Sequence, residues 1–243
     1  MIPLRDENPT RRRAVVTLVL IALNVGIYFG VQPPVDSAEG AEFTYEMAAI
    51  PCEVTTNEPI SVVEYQTGTC NEQPEGDPIF PDKRVLFALL VSMFLHGSLL
   101  HLGGNMLFLW VFGNNIEDHL GPFKYVAFYM ASGLIATFAH IAVDPSSTVP
   151  VVGASGAIAG VMGAYLAWFP NVRIHTLFFF FFIIFRDISA KWLLAFWFVS
   201  QFFDAVNPNS GVAWGAHVGG FVFGLLVGAV LRATRVHPLR QAS

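Results

Sequence analysis

Residues 85–113, VLFALLVSMFLHGSLLHLGGNMLFLWVFG, form an apolar run of 29 residues that decides the fold. A straight helix rises about 1.5 Å per residue, so this run would exceed about 40 Å, whereas the hydrocarbon core of a bilayer is about 30 Å thick. We therefore expect a break at Gly97 and Ser98. The break divides the run into a surface helix at 85–96 and a membrane span at 98–113.

The composition of the whole chain also indicates a membrane protein. Of its 243 residues, 54% are hydrophobic and 13% are charged, and its mean hydropathy is +0.55. A soluble domain carries about 25% charged residues, so this chain has too little polar surface to be wrapped in water. Soluble enzymes and disordered chains are therefore disfavoured, and a net charge of −5 gives no basic surface for nucleic acid.

Six apolar segments are predicted to span the membrane, which gives an all-α, polytopic bundle of six transmembrane helices. They are residues 14–31, 98–113, 123–143, 155–169, 190–206 and 212–231. The phenylalanine-rich segment 176–185 is too short to span. We expect it to lie at the membrane surface or to extend the preceding helix.

The basic residues predict the orientation of the chain in the membrane. Arg11–Arg13 precede the first span and three arginines follow the last one, and cytoplasmic segments of membrane proteins are enriched in Lys and Arg. Residues 1–13 and 232–243 are therefore predicted as cytoplasmic tails of a membrane domain at 14–231. The expected location is the cytoplasmic membrane of a bacterium or an archaeon.

An acidic loop, residues 32–84, separates the first span from the surface helix. Eleven acidic residues lie between Asp36 and Asp82, and seven prolines in the loop disfavour long helices. This pattern is typical of a translocated loop on the outer face. The only two cysteines, Cys52 and Cys70, lie in it. They either pair in an oxidising compartment or remain two free thiols.

Polar side chains inside the predicted spans are energetically costly, so each is a candidate functional residue. The second, fourth and sixth spans all run from the outside to the inside. His101 and Asn105, on one face of a helix, lie early in the second span. Ser155 begins the fourth span, and His217 lies early in the sixth. All four side chains are therefore predicted at one depth, just below the outer surface.

Small residues predict close packing of the fourth span against the sixth, because small-xxx-small faces let membrane helices approach each other. The two faces consist of Gly156, Gly160 and Ala164, and of Gly220, Gly224 and Gly228. This packing would bring Ser155 within hydrogen-bond reach of His217. A serine hydroxyl is a poor nucleophile alone and needs such a base.

The residues around Ser155 also suit a nucleophile. Ser155 lies between Gly153 and Gly156 in a turn of small residues, similar in outline to a nucleophile elbow. Its backbone N–H would lie at a helix N-terminus, where free donors stabilise an oxyanion. His101 and Asn105 would add side-chain donors.

Each of these features also has a purely structural interpretation, since glycine faces commonly serve packing alone and membrane histidines often make structural hydrogen bonds. A transporter or metal protein would instead use histidines as ligands, and five are candidates for this role: His96, His101, His119, His140 and His217. Metal sites prefer clustered ligands with carboxylate or thiolate partners. The topology places His119 inside, far from His101 and His217, so we expect neither a metal nor another cofactor.

Three short motifs occur in order along the predicted membrane domain. They are FLHGSLLHLGGN at 94–105, GASG at 153–156 and AHVGG at 216–220. Together they resemble the signatures of the rhomboid intramembrane serine proteases, and the match covers about residues 85–231. The resemblance implies a six-helix rhomboid-like bundle that cleaves transmembrane segments of other membrane proteins.

The resemblance also implies a role for each matching residue. Ser155 would be the nucleophile and His217 the general base of a dyad that requires no aspartate. His101, Asn105 and the backbone N–H of Ser155 would form the oxyanion hole. The supporting positions are Gly153 in the turn, Gly156, Gly220 and Gly224 on the helix faces, Glu117 at the inner end of the second span, and His96 near the surface helix.

One position departs from the family pattern. Some rhomboids carry an aromatic residue four positions after the serine, stacked on the histidine, where this chain has Ala159. Support for His217 must then come from elsewhere or be absent.

The resemblance implies that the partners are the lipid bilayer and transmembrane substrates, which enter sideways. We expect the helix at 190–206 to be a movable gate because it carries five bulky aromatic residues. They are Trp192, Trp197, Phe198, Phe202 and Phe203. The alternative is a catalytically inactive rhomboid-like protein that binds membrane helices. The presence of both dyad residues and of the oxyanion donors argues against it.

Overall fold

The computed structural model describes residues 1–71, 76–179, 182–207 and 211–234. Its helices are α1 (Val15–Gly30), α2 (Ala38–Met47), α3 (Pro51–Thr56), α4 (Val62–Thr67), α5 (Val85–Val91), α6 (Leu99–Leu120), α7 (Pro122–Val143), α8 (Ser155–Trp168), α9 (Ala190–Ala205) and α10 (Trp214–Thr234). Its strands are β1 (Ile2–Asp6), β2 (Arg173–Phe179) and β3 (Ile183–Ser189).

Helices α1 and α6 to α10 occupy the six segments predicted as spans. Within the described part of the chain, length and hydropathy alone qualify α7 and α10 as candidate spans. The helical pair Val85–Phe94 and α6, bent by 77°, counts as a third if it is taken as one span. Helices α1 and α8 are apolar but shorter, with 16 and 14 residues. The six-span topology therefore stays a prediction.

The apolar run at 85–113 is broken close to the expected place. Helix α5 continues into a 3₁₀ turn at Ser92–Phe94, and α6 begins at Leu99. The Ser98 hydroxyl caps α6 by accepting the backbone N–H of His101 at 3.0 Å. Helix α6 then continues to Leu120, seven residues beyond the predicted end of the span.

Helix α8 lies at the centre of the bundle, where it contacts α6, α7, α9 and α10. Ten of its 14 residues are buried. A Cβ atom added to Gly220 would clash with the carbonyl of Gly156, and one added to Gly224 would clash with the carbonyl of Gly160. The small faces of α8 and α10 therefore permit backbone-to-backbone contact between the two helices.

Glu117, 4% exposed, caps the start of α1 from the C-terminal end of α6. This end is called the inner end because the predicted topology places it on the cytoplasmic side. Its carboxylate accepts the backbone N–H groups of Val16 and Thr17 at 2.9 and 2.7 Å, and the Thr17 hydroxyl at 2.8 Å. The first N–H groups of a helix have no partner within it, and an anion there also complements the helix dipole. Glu117 therefore joins α1 to α6.

A three-stranded antiparallel sheet in the order β1–β2–β3 corrects the predicted all-α class. Strand β1 comes from the predicted tail at 1–13, and Ile2 pairs with Leu177 of β2. Leu177 in turn pairs with Phe185 of β3. The fold is mostly helical, with this sheet attached to it.

The segment 176–185 does not extend α8, so that alternative is wrong, and its expected position at the membrane surface stays a prediction. It belongs to the β2–β3 hairpin, and residues 180–181 lie outside the described part of the chain. Aromatic and β-branched side chains pack well on a pleated surface, and β1 gives the hairpin a third strand. Of the predicted tail at 232–243, the described part continues α10 to Thr234.

Asp6 fastens the sheet to the bundle. Its Oδ2 accepts the Nδ2–H of Asn115 at 2.6 Å and the hydroxyl of Tyr165 at 2.7 Å. Burial raises the pKa of the Asp6 carboxyl. The N-terminal strand is therefore held at the inner ends of α6 and α8.

The acidic loop contains the short helices α2, α3 and α4, in agreement with its many prolines. Cys52 and Cys70 are joined in a disulfide, which decides between the two alternatives. Within the loop, Lys83 Nζ lies 2.5 Å from a carboxylate oxygen of Glu53, and both side chains are buried. Burial raises the pKa of Glu53 and lowers that of Lys83.

The loop is hydrogen-bonded to the segment that precedes α8. The backbone N–H of Val151 donates to the carbonyl of Ala49 at 2.8 Å, and the Ala49 N–H donates to the Ser92 hydroxyl at 2.6 Å. The Gly153 N–H donates to the Ser92 carbonyl at 2.9 Å. Two other parts of the chain, the acidic loop and the 3₁₀ turn at Ser92–Phe94, thereby hold the turn before Ser155.

Candidate active site

Ser155 and His217 are brought together by the close packing of α8 against α10. Ser155 is the first residue of α8, and His217 lies in the first turn of α10. The distance from Ser155 Oγ to His217 Nε2 is 2.8 Å, which is a hydrogen bond. A serine hydroxyl in this position can give its proton to the imidazole as it attacks a carbonyl carbon.

Gly153 shapes the turn before Ser155. Its φ angle is +126°, a conformation that L residues with side chains rarely adopt. A Cβ atom at this position would lie 2.9 Å from both His101 Cε1 and Nε2, and 3.5 Å from Ser155 Oγ. Because Gly153 has no side chain, the imidazole of His101 and the hydroxyl of Ser155 border the same open space.

His101 has a ring orientation suited to donation into the site. Its Nδ1 accepts a long hydrogen bond of 3.4 Å from the backbone N–H of Gly97. A neutral imidazole carries one proton, so the proton lies on Nε2, beside Gly153. The ring of His96, fully buried, packs edge-on against His101 with centroids 5.1 Å apart. The contact with His96 therefore helps to fix the orientation of the His101 ring.

Asn105 lies one turn further along α6 and is 8% exposed. Among the described residues, its Nδ2 is a buried donor without a hydrogen-bond partner. Leaving such a donor unpaired costs about 1–3 kcal/mol, so it requires an explanation. An anionic oxygen that forms only during a reaction would supply the missing acceptor.

Gln201 is a site residue that the sequence interpretation missed. It lies on α9, is 5% exposed, and its Oε1 is 2.5 Å from His217 Nδ1, on the opposite side of the ring from Ser155. The rule that identified the other candidates, a polar side chain within an apolar span, applies equally to Gln201. The aromatic residues of α9 predicted a gate, and Gln201 was not among the candidate residues.

The aromatic support that Ala159 does not provide comes from α9. Ala159 is buried, and the ring of Trp197 lies 5.6 Å from that of His217, tilted by 38°. Of the five aromatic residues expected in a gate, Trp197 and Phe198 pack against the core. The other three are exposed: Trp192, Phe202 and Phe203.

The histidines of the described residues do not form a group of three or more metal ligands. Within the described ranges, the only cluster of three or more metal-ligating side chains is Cys52, Glu64 and Cys70. Both cysteines are in the disulfide, so neither offers a thiolate. His119 packs against Trp168, at the inner end of the bundle.

Three curated proteins illustrate what the chain is similar to. It is 32% identical over 156 residues to the bovine (Bos taurus) protein named "Presenilin-associated rhomboid-like protein, mitochondrial", which covers 60% of this chain and 38% of that protein. It is 29% identical over 153 residues to "Rhomboid protein 1, mitochondrial" of Saccharomyces cerevisiae, covering 58% and 40%. It is 32% identical over 144 residues to "RHOMBOID-like protein 5" of Arabidopsis thaliana, covering 59% and 43%.

The matched part thus spans about two fifths of the length of these relatives. A family model described as "Rhomboid domain" matches residues 83–234, which is more than half of this chain. That range begins just before α5 and contains Ser155, His217 and the residues around them. The chain therefore belongs to the rhomboid family.

Proposed function

We propose that this protein is an intramembrane serine endopeptidase in which Ser155 and His217 form the catalytic dyad. The observation that carries the proposal is the hydrogen bond of 2.8 Å between Ser155 Oγ and His217 Nε2. It lies at the N-terminus of the buried helix α8, and α6, which packs against α8, carries the unpaired buried donor of Asn105. A nucleophile, a base and a place for an oxyanion are the three components that acyl transfer needs.

In the first step, Ser155 Oγ attacks the scissile carbonyl carbon while its proton passes to His217 Nε2. The negative charge develops on the carbonyl oxygen. The backbone N–H of Ser155, the Nε2–H of His101 and the Nδ2–H of Asn105 stabilise that charge. The imidazolium then gives its proton to the leaving amine, the C–N bond breaks, and the substrate acyl group remains on Ser155.

In the second step, a water molecule gives a proton to His217 and attacks the acyl carbon. The same three donors hold the second oxyanion. Collapse of this intermediate returns the proton to Ser155 Oγ and releases the new carboxyl terminus. No further group is required, because the histidine serves in turn as base and acid.

The substrates are transmembrane segments of other membrane proteins. A membrane helix has its carbonyls in hydrogen bonds, so it must unwind locally before attack. We place lateral entry at α9, whose exposed Trp192, Phe202 and Phe203 face away from the core. In this proposal α9 moves outward to admit the substrate and returns around it.

The proposed setting is a multi-pass one, with six spans formed by α1 and α6 to α10 and both termini on the cytoplasmic side. The bovine and yeast relatives are named as mitochondrial proteins, so they give no support to the expected bacterial or archaeal cytoplasmic membrane. That location remains a proposal, and the charge pattern supports only the orientation.

The test is cleavage of a model transmembrane substrate in liposomes by the wild type, by Ser155→Ala and by His217→Ala. We expect both variants to lose at least about 10⁴-fold in kcat, since a dyad acts as a unit. A fluorophosphonate probe should label the wild type and not Ser155→Ala. Undiminished cleavage by Ser155→Ala would overturn the proposal. A wild type that neither cleaves nor reacts with the probe would instead favour the inactive, helix-binding alternative.

A further inference from the structure

The amide of Gln201 is oriented by its own helix. Its Nε2 donates to the carbonyl of Trp197 at 2.9 Å and to the hydroxyl of Ser200 at 3.1 Å. The Ser200 hydroxyl itself donates to the Trp197 carbonyl at 2.6 Å, so it receives the amide proton as an acceptor. Both N–H groups of Gln201 are thereby occupied, and the oxygen Oε1 faces His217.

This orientation determines which nitrogen of His217 carries the proton. An amide oxygen can only accept a hydrogen bond, so Nδ1 of His217 must donate to it. A neutral imidazole has one N–H. Nε2 therefore has a free lone pair, directed at the Ser155 hydroxyl 2.8 Å away. This is the tautomer that a general base for Ser155 requires.

We propose that Gln201 is a positioning residue that holds His217 in the Nδ1–H tautomer and fixes the direction of its ring. The inference rests on the proposed function and deepens it, since the dyad then depends on a third side chain from a third helix. Trp197 also contacts the ring, but the face of an aromatic ring does not choose between two tautomers. Among the described residues, His101 and His140 interact electrostatically with His217.

A neutral amide suits this place physically. A carboxylate here carries a desolvation penalty that its pairing with the imidazolium of His217 offsets, whereas a hydrogen-bonded amide carries no charge to desolvate. Gln201 also lies on α9, the helix proposed as the gate. Outward movement of α9 separates Oε1 from Nδ1, so the dyad has its reactive arrangement only when α9 is in place.

Kinetics in liposomes compare Gln201→Met, which removes the acceptor at nearly constant volume, with Gln201→Glu, which keeps an acceptor. Val199→Ala, an exposed position on the same helix, is the control. A single hydrogen bond shifts such an equilibrium by about tenfold. We expect Gln201→Met to lower kcat about tenfold with KM unchanged, and Gln201→Glu and Val199→Ala to stay near the wild type. A carboxylate also stabilises the protonated imidazole, so Gln201→Glu should move the acid limb of the pH profile of kcat to higher pH.

The tautomer itself is measured by ¹⁵N NMR of histidine-labelled full-length protein in micelles, with His217→Ala used to assign the signal. We expect Nδ1 of His217 to be protonated in the wild type and the two tautomers to mix in Gln201→Met. A wild-type rate in Gln201→Met, an unchanged tautomer in that variant, or a loss in Gln201→Met that Gln201→Glu does not restore would each overturn the inference.

The two proposals fail in distinguishable ways. If the wild type and Ser155→Ala cleave equally, the proposed function is wrong. The NMR signal of His217 still reports whether Gln201 determines the tautomer. If the wild type cleaves and the Gln201 variants match it in rate and tautomer, only the role of Gln201 falls. Thermal unfolding gives the melting temperatures of Gln201→Met and Gln201→Glu, and the rates are compared at a temperature where both variants are folded.

Discussion

The two ends of α6 each bury an asparagine, and the two side chains differ in their partners. Asn115, at the inner end, is 4% exposed, and its Nδ2 donates to Asp6 at 2.6 Å and to Asn114 at 2.9 Å. Asn105, at the outer end, is 8% exposed, and its Nδ2 has no partner among the described residues. One helix thus carries a satisfied amide and an unsatisfied one, ten positions apart.

Under the proposed function, the difference separates a structural role from a catalytic one. Asn115 belongs to a network with Asp6 and Tyr165 in which each donor finds an acceptor, and such networks specify a fold. Asn105 instead carries a buried donor that has no partner among the described residues, and such a donor destabilises the resting protein. Donors prepared for a charge that develops later are a common source of rate enhancement.

Among the variants that test this comparison, the largest effect is expected on the activity of Asn105→Ala. Removing one oxyanion donor lowers kcat by about 10²–10³-fold, and because that donor is unpaired at rest, the melting temperature should not fall. Cleavage assays and thermal unfolding in the same detergent measure both quantities. Asn115→Ala is the matched control, with near-normal kcat and a lower melting temperature. A lower melting temperature in Asn105→Ala together with a lower kcat in Asn115→Ala would contradict these two roles.

A smaller effect is expected at the inner end from Glu117→Ala. This variant leaves three donors of Val16 and Thr17 without their acceptor, so the free energy of unfolding should fall by about 3 kcal/mol. The kcat at low temperature should stay within about threefold of the wild type, because the chemistry lies at the other end of α6. Denaturant titration and cleavage of the model substrate test this.

Asp118→Ala serves as a control for Glu117→Ala. Asp118 accepts the backbone N–H groups of Arg11 and Arg12 at 3.0 Å at an exposed place. Losing those exposed bonds should cost less than about 1 kcal/mol. If Asp118→Ala destabilised the protein as much as Glu117→Ala, burial would not be the reason for the effect of Glu117.

The smallest effect is expected from Asp6→Asn. Burial raises the pKa of Asp6 in the folded protein, so the folded state binds this proton more tightly than the unfolded state. The resulting stability is fully present below about pH 4, the unfolded pKa, and is lost as the pH rises through the raised folded pKa. At pH 7, Asp6→Asn keeps the acceptor and removes the buried charge. The melting temperature should then be unchanged or slightly higher, by less than about 1 kcal/mol of stability.

The pH dependence provides the check on Asp6→Asn. The difference in melting temperature between the wild type and the variant should grow from pH 4 to pH 7, since only the wild type can lose the proton. A variant that is less stable than the wild type at pH 7, or a difference that shrinks as the pH rises, would contradict the assignment of Asp6.

The predictions from sequence were most successful where a local pattern carries the information. The length of the run at 85–113 required a break, and α6 begins at Leu99, close to it. The glycines of α8 and α10 required a close contact, since a side chain at Gly224 would clash with the carbonyl of Gly160. The hydrogen-bond distance between Ser155 and His217 follows from that contact.

The predictions failed where distant parts of the chain pair. Nothing local in residues 2–6 indicates a strand, because their partner is β2, more than 160 residues later. The same holds for Asp6, which reaches Asn115 and Tyr165. Strand pairing depends on edges that exist only after the helices have assembled.

By itself, the sequence determined that the protein is apolar, belongs to the rhomboid family, and has its scarce polar residues near one helix contact. These properties depend on composition and on motifs whose spacing is local. Only the tertiary structure decided that Cys52 and Cys70 are joined, that a three-stranded sheet is attached to the helical bundle, and that Gln201 lies against His217. The physical reason is that each of these is a contact between distant segments, and its energy depends on what surrounds it once the chain is packed.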